Sequence, residues 1–348
     1  MKKTTKIIAM VMVLAMMLGL CACGKNEFSF SDGLDENGYF KGIKALDYYE
    51  LGDFSKIVIQ QKQIDAEIEY LTTELFPEQV KVTDRAVEAG DTYNMGYVGK
   101  IDGVAFENGS TGEGGATVNT KTDKYIDGFF DQIVGHVPGE TFDINVTFPD
   151  PYENNPDLAG KAAVFTITLN YIVEYKKAEW TDDFVYNNMY YYYGLKTTAE
   201  AEDYIKNMLL DDFVGKNAKL TGELPEAVQT WYEKYVIKNL ENQAKNQMGV
   251  ELVKLLKDQY GVNSETEFIE KYKDELAAQA QSYLLLQALA ENEGYKASEA
   301  EIQEMLKTQA EKEEDQKAMI DAYGMPYLAQ FTMQNKVYEK LMEKVVIE

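Results

Sequence analysis

Few residues in this chain can do reactive chemistry. Cys21 and Cys23 are the only cysteines, and His136 is the only histidine. Both thiols precede the body of the chain, which therefore offers no disulfide, thiolate metal site or cysteine nucleophile. With one imidazole to hand, a zinc centre would need unusual ligands and a serine hydrolase an unusual base. No metal or cofactor is expected. Aromatic surface is what the chain has in quantity, most densely in Tyr190-Tyr191-Tyr192-Tyr193 with Tyr186 and Met189 before them. Four consecutive tyrosines point all round a helix and cannot all be core. Packing against a neighbouring domain is the plainer reading. A surface for binding other polypeptides is the alternative, since tyrosine joins contact area to a polar tip. Met305, Met319, Met325 and Met333 read as fillers of irregular core gaps.

The two cysteines have a more specific reading. Lys2, Lys3 and Lys6 form a basic start, and Ile7 to Leu20 an apolar run too short to span a bilayer as a helix. It ends in Leu20-Cys21-Ala22-Cys23-Gly24, which resembles a bacterial lipobox with cleavage before Cys23 and acylation of its thiol. Cleavage before Cys21 would put bulky Leu20 at the cut, so Cys23 is favoured as the lipidation site. Two acyl chains make a stable anchor where one is marginal. The expected location is the extracytoplasmic face of a bacterial cell membrane. An ordinary leader with two incidental cysteines is the plain alternative. The formal net charge of −25 argues against nucleic acid as a partner.

Three textures follow along the chain. Residues 23–45 are polar with scattered aromatics and read as a flexible tether. Residues 46–85 contain strand-like Phe54 to Ile59, then Ile64, Ile68, Leu71 and Leu75 on one helical stripe ended by Pro77; this linker is expected to pack with the C-terminal domain. Residues 86–175 are rich in glycine and β-branched residues. Thr92–Ile101, Phe142–Phe148 and Ala163–Val173 are predicted strands, and Ile126–Val134 the one short helix. Asp102-Gly103 and Asn108-Gly109 are predicted as tight connections between antiparallel strands. From 176 to 348 the pattern is helical, with one stripe at Val228, Trp231, Tyr232 and Tyr235 and another at Leu276, Ala280, Tyr283 and Leu284. Thr197 with Glu200, Ser264 with Glu267, and Ser298 with Glu301 fit capping boxes. No strand is expected in this half.

The middle texture carries a family resemblance. Gly90-Asp91, Tyr97-Val98-Gly99-Lys100-Ile101-Asp102-Gly103 and Phe106-Glu107-Asn108-Gly109 run in order into Ile126-Asp127-Gly128-Phe129 and Gly135-His136-Val137-Pro138-Gly139-Glu140. Val146-Thr147-Phe148-Pro149-Asp150-Pro151-Tyr152 and Leu158-Ala159-Gly160-Lys161-Ala162-Ala163-Val164-Phe165 complete the series. Together they resemble the FKBP-type domain of trigger factor. Trp180-Thr181-Asp182-Asp183-Phe184 and Leu224-Pro225-Glu226-Ala227 resemble parts of that family's C-terminal domain. No ribosome-docking domain is found ahead of them, so no ribosome partner is expected.

The resemblance implies an α+β fold, an FKBP-like antiparallel sheet wrapped on a short helix and joined to an all-α chaperone domain. It implies peptidyl-prolyl cis-trans isomerase activity, with Tyr97, Phe106, Phe129 and Phe165 as aromatic walls and Glu107 as the acidic catalytic-site position that follows the first of these phenylalanines. It also implies that the Ile126 backbone N–H donates to a substrate carbonyl, that Tyr125 adjoins it in the pocket, and that Tyr152 lines the rim. An aromatic expected about ten residues before Ile126 falls at Ala116, so a shallower pocket is expected. His136 receives no role and is expected on a surface loop. The implied partners are unfolded or partly folded secreted polypeptides with X-Pro bonds, met from a membrane anchor. The alternatives are a non-catalytic holdase with a degenerate module and, more weakly, a solute-binding lipoprotein of two α/β lobes.

Overall fold

The computed structural model describes residues 28–348. The leader, Cys21, Cys23 and the first part of the expected tether lie outside the described residues. The described chain forms two compact units, one of residues 65–198 and one that combines the N-terminal segment through Ile64 with residues 199–348.

In chain order the elements are β1 (Tyr49–Leu51), β2 (Ile57–Ile59), α1 (Gln61–Tyr70), β3 (Glu78–Val82), β4 (Thr92–Ile101), β5 (Val104–Ser110) and β6 (Ala116–Asn119). Next come β7 (Thr141–Thr147), β8 (Ala162–Lys176), α2 (Asp182–Tyr193), α3 (Thr198–Asn217), β9 (Ala218–Leu220) and α4 (Glu226–Gln243). The chain closes with α5 (Leu252–Leu255), α6 (Glu265–Lys271), α7 (Lys273–Asn292), α8 (Glu299–Gln309), α9 (Glu313–Tyr323), α10 (Met325–Met342) and β10 (Val345–Ile347).

The unit of residues 65–198 is built on β8. This strand alternates buried Ala163, Phe165, Ile167 and Leu169 with outward residues, the two-residue period of a half-buried sheet. It pairs antiparallel with β4 along one edge, and with β7 and then β3 along the other. β5 and β6 both pair with β4. Asp102 and Gly103, both at positive φ (51° and 78°), make the tight β4–β5 turn that their types predict. Asn108 differs. It lies inside β5 at φ 59°, where the β4–β5 register shifts, so it forms a bulge and not a connection.

The predicted helix at Ile126–Val134 is a chain of turns. Phe129 N–H donates to the Ile126 carbonyl and Ile133 N–H to that of Phe130, three-residue steps; Gly128 at φ 76° interrupts any longer ladder. The domain boundaries shift as well. The stretch 65–85 and the stretch 176–198 belong with the sheet: β3 pairs with the end of β8, and Phe184 of α2 packs against Phe76 and Trp180.

The other unit is helical, with α4, α7 and α10 around a core of Trp231, Tyr232, Tyr235, Tyr283 and Val337. Both predicted stripes are buried there. Two three-residue strands nevertheless occur in the half expected to have none: β9 pairs with β1 and β10 runs parallel to β2. Each is completed by a strand of equal length from the N-terminal segment. That segment is not a tether from Phe28 onward. Phe30, Leu34 and Phe40 are buried, with Phe30 in ring contact with Tyr235, Tyr323 and Tyr327. Its backbone is satisfied by side chains of α7: Gln287 accepts from Phe40 N–H and donates to the Ile43 carbonyl, and Glu291 accepts from Ala45 and Leu46 N–H. Gly38, at φ 79°, passes so close to Gln330 that a Cβ would lie 2.1 Å from its backbone nitrogen. Helical structure over 199–348 is the reverse of what a two-lobed solute binder requires.

Candidate functional site

The sheet unit carries a hollow of about 760 Å³, within the size range of ligand pockets. Tyr97 comes from β4, Phe106 and Glu107 from β5, Phe165 from β8, and Tyr125, Ile126 and Phe129 from the turn segment laid over the sheet. Tyr152 comes from the loop after β7. The eight residues predicted for the pocket all line this one hollow.

Its walls are packed edge to face. The Tyr97 ring lies 5.7 Å from Phe165 and 5.9 Å from Phe129, and Phe165 lies 5.2 Å from Phe129 and 5.9 Å from Phe106. Such spacings suit aromatic quadrupoles. Phe129 is 1% exposed and Phe165 5%, so they form the floor; Phe106, Tyr97 and Ile126 are half-buried and present the accessible surface.

Two glycines make room for Phe106. A Cβ on Gly99 would lie 2.6 Å from the Phe165 ring and 2.8 Å from the Phe106 ring, and one on Gly109 would lie 2.5 Å from Phe106. The Phe106 ring thus occupies the space that side chains at 99 and 109 would need. Thr111 fixes β4 at this level, its Oγ1 accepting from Tyr97 N–H at 3.0 Å.

Polar groups are sparse and peripheral. Glu107 is exposed on the rim, with Asp127, Lys124, Asn154 and Asn155 around it. Burial raises the Tyr125 phenol above its ordinary range, with hydrogen bonding to Tyr97 acting in the same direction, so Tyr125 stays neutral. The Ile126 N–H makes no hydrogen bond to any described residue. The hollow can therefore enclose an apolar group, offer one backbone donor beside it, and do so without a nucleophile or a base.

Some of the lining escaped sequence reasoning. Phe148, 5.8 Å from Phe106 and 5.1 Å from Tyr152, closes one side, and Leu158 joins the lining from the short turn that follows Asn155, whose carbonyl accepts from the Leu158 N–H. The signal for Phe148 was available: Ile144, Val146 and Phe148 alternate inward in steps of two. Ala116 pairs with Met95 in β6 and does not line the hollow, so the missing aromatic there leaves the described walls in place. His136 is apart from the site, stacked on Phe142 at 3.5 Å with Nδ1 against the Glu140 carboxylate.

Residues 83–170 match the FKBP-type peptidyl-prolyl cis-trans isomerase family, and residues 195–348 match the bacterial trigger factor C-terminus. The chain is 28% identical to the trigger factor of Carboxydothermus hydrogenoformans over 316 residues, covering 83% of this chain and 70% of that protein. It is 30% identical to that of Halothermothrix orenii over 292 residues, covering 79% and 66%. A solved trigger factor, described under promiscuous substrate recognition in folding and assembly, aligns with 85% of this chain and 72% of its own at 16% identity, with a TM-score of 0.28.

Proposed function

We propose, from the premise that this chain is a trigger factor homologue carrying an FKBP-type domain and a trigger factor C-terminal domain, that it is a peptidyl-prolyl cis-trans isomerase and chaperone. The observation that carries the proposal is the shared hollow of Tyr97, Phe106, Ile126, Phe129 and Phe165. Rotation about an X-Pro bond has a barrier near 20 kcal/mol because twisting costs amide resonance. The twisted amide is less charge-separated than the planar one, so an apolar, water-excluding wall disfavours the planar ground state more. Phe106 and Tyr97 supply that wall for the proline ring, over the floor of Phe129 and Phe165. The Ile126 N–H donates to the substrate carbonyl and holds the chain while the bond turns. Glu107 stands at the rim, where the flanking residues of a substrate pass.

The substrates proposed are unfolded or partly folded secreted polypeptides, met at the extracytoplasmic face of the membrane through an acylated Cys23. The lipobox-like Leu20-Cys21-Ala22-Cys23 supports that location. A ribosome is not among the proposed partners, since an exported lipoprotein lies across the membrane from it. The net charge of −25 argues against nucleic acid as a partner.

The test is the refolding rate of a protein limited by proline isomerisation. The mature chain is expected to accelerate the slow phase, and Phe106→Ala to abolish most of that acceleration. No acceleration, or none lost in the variant, removes the isomerase reading. Suppressed aggregation of an unfolded client without acceleration would leave a holdase. The tyrosines of α2 favour a holding contribution: Tyr191 is 88% exposed and Tyr192 67%.

A further inference from the structure

The N-terminal segment is folded into the helical unit almost from the proposed anchor onward. Phe28 already packs edge-on against Phe30 and Trp231. Ser29 N–H donates to Asp32, and Ser31 Oγ donates to the Tyr323 carbonyl and accepts from Tyr327 N–H. The segment is then pinned by Gln287 and Glu291 of α7, and Gly38 lies flat on α10. Nothing in it can pay out as slack without opening the core.

We propose that the face of the helical unit carrying Phe28 is held against the surface of the lipid bilayer by a leash too short to let the unit turn over. The proposal rests on the reading of Cys23 as the acylated residue. From Cys23 to Phe28 there are five residue steps, which span at most about 18 Å when fully extended. The 18 residues of α4 span about 27 Å. The leash is therefore shorter than one helix of the body it holds. The apposed face is the one Phe28 shares with Asp32, Glu226, Lys234, Lys238 and Glu265. Both signs of charge are present there, so the surface has no electrostatic attraction of its own for anionic lipid. Length of chain does the holding, and the bilayer is the partner by geometry.

The test uses the full-length lipoprotein in phosphatidylcholine vesicles, with a donor on Glu226→Cys and an acceptor on the lipid headgroups. Glu226 is exposed, lies outside the isomerase site, and would supply the one free thiol once Cys23 is acylated. Inserting about 20 glycine and serine residues between Glu27 and Phe28 adds roughly 25 Å of root-mean-square reach. Energy transfer is expected to be strong with the native leash, to fall at least about twofold with the longer one, and to be unchanged when phosphatidylglycerol is included. Equal transfer with both leashes in a protein whose Cys23 carries acyl mass overturns the leash alone. Transfer that appears only with phosphatidylglycerol also overturns it, because charge would then do the holding. Absence of acyl mass on Cys23 overturns the anchor reading and the leash with it.

Discussion

The smallest scale at which the site can be argued is the Phe106 ring, between Gly99 and Gly109 and edge-on to Phe165 and Phe148. Being half-buried, it contributes more to the wall of the hollow than to the core beneath. Removing an apolar wall of this size forfeits about 1.5–3 kcal/mol of contact. Phe106→Ala is therefore expected to lower kcat/KM for an X-Pro peptide by about ten- to hundredfold, with the unfolding midpoint little changed. Phe129→Ala is expected to behave differently, because a floor residue 1% exposed is core; its cost should be about 3–5 kcal/mol in denaturant unfolding. Equal stability losses in the two variants would contradict the division between wall and floor. Gly99→Ala tests the packing from the other side. Its new methyl must displace Phe165 or Phe106, so about 1–3 kcal/mol of stability should be lost together with activity. These residues were legible in the sequence because the motif series fixes both their order and their spacing. Leu158 was not nominated, because it enters the hollow from a loop whose path no periodicity dictates.

Between residue and fold, the strands were readable and the segment over them was not. β7, and β8 as far as Leu169, follow the two-residue period closely, since a sheet with one buried face enforces it; β4 departs from it at Tyr93, Asn94 and Met95, buried in succession where its register against β8 shifts. Ile126 to Val134 has helix-like apolar spacing, yet Gly128 at φ 76° turns it into successive short turns that bring Tyr125, Ile126 and Phe129 over the sheet. Asn108 and Asp102 carry the same signal, a positive-φ residue before glycine, but one makes a turn and the other a bulge. Register with β4, which is a long-range property, decides between them. The left-handed conformation gives a prediction at this scale. Asn108→Val is expected to destabilise the sheet unit by about 1–2 kcal/mol, whereas Asn108→Gly should be tolerated. Chemical denaturation followed by a probe in residues 65–198 would check it, and an Asn108→Val protein as stable as the parent would remove the bulge as an organising feature. Ser298 and Glu301 show the opposite case, a capping box read from four residues and present as read. The Ser264–Glu267 pair is half of one, because the Glu267 carboxylate accepts from Asn263 N–H and not from Ser264.

For the molecule as a whole, the least legible feature was the fate of residues 28–45. Their composition is that of a linker, but Phe30, Leu34 and Phe40 find a cradle assembled from helices some 200 to 300 residues later in the chain, and no local pattern encodes that. The helical unit built this way also has a titration that no local pattern encodes. Burial pushes the Asp211 carboxyl up to about 6, against the lowering effect of the hydroxyl that Tyr338 donates to it. An acid whose pKa is higher in the folded state holds its proton more tightly there than in the unfolded chain. Its contribution to stability is thus fully favourable below the ordinary carboxylate range and is lost as pH rises from about 4 to 6. Above that window the unit carries a buried charge costing about 3 kcal/mol. Asp211→Asn keeps an acceptor for Tyr338 and removes the titration. The variant is expected to be more stable than the parent at pH 7–8 by up to this amount and to converge with it near pH 4. The difference between the two proteins isolates Asp211 from the carboxylates that titrate in both. A constant offset across that pH range, or a variant less stable at pH 7, would mean that the ionised carboxylate is a structural partner of Tyr338 and not a strained one.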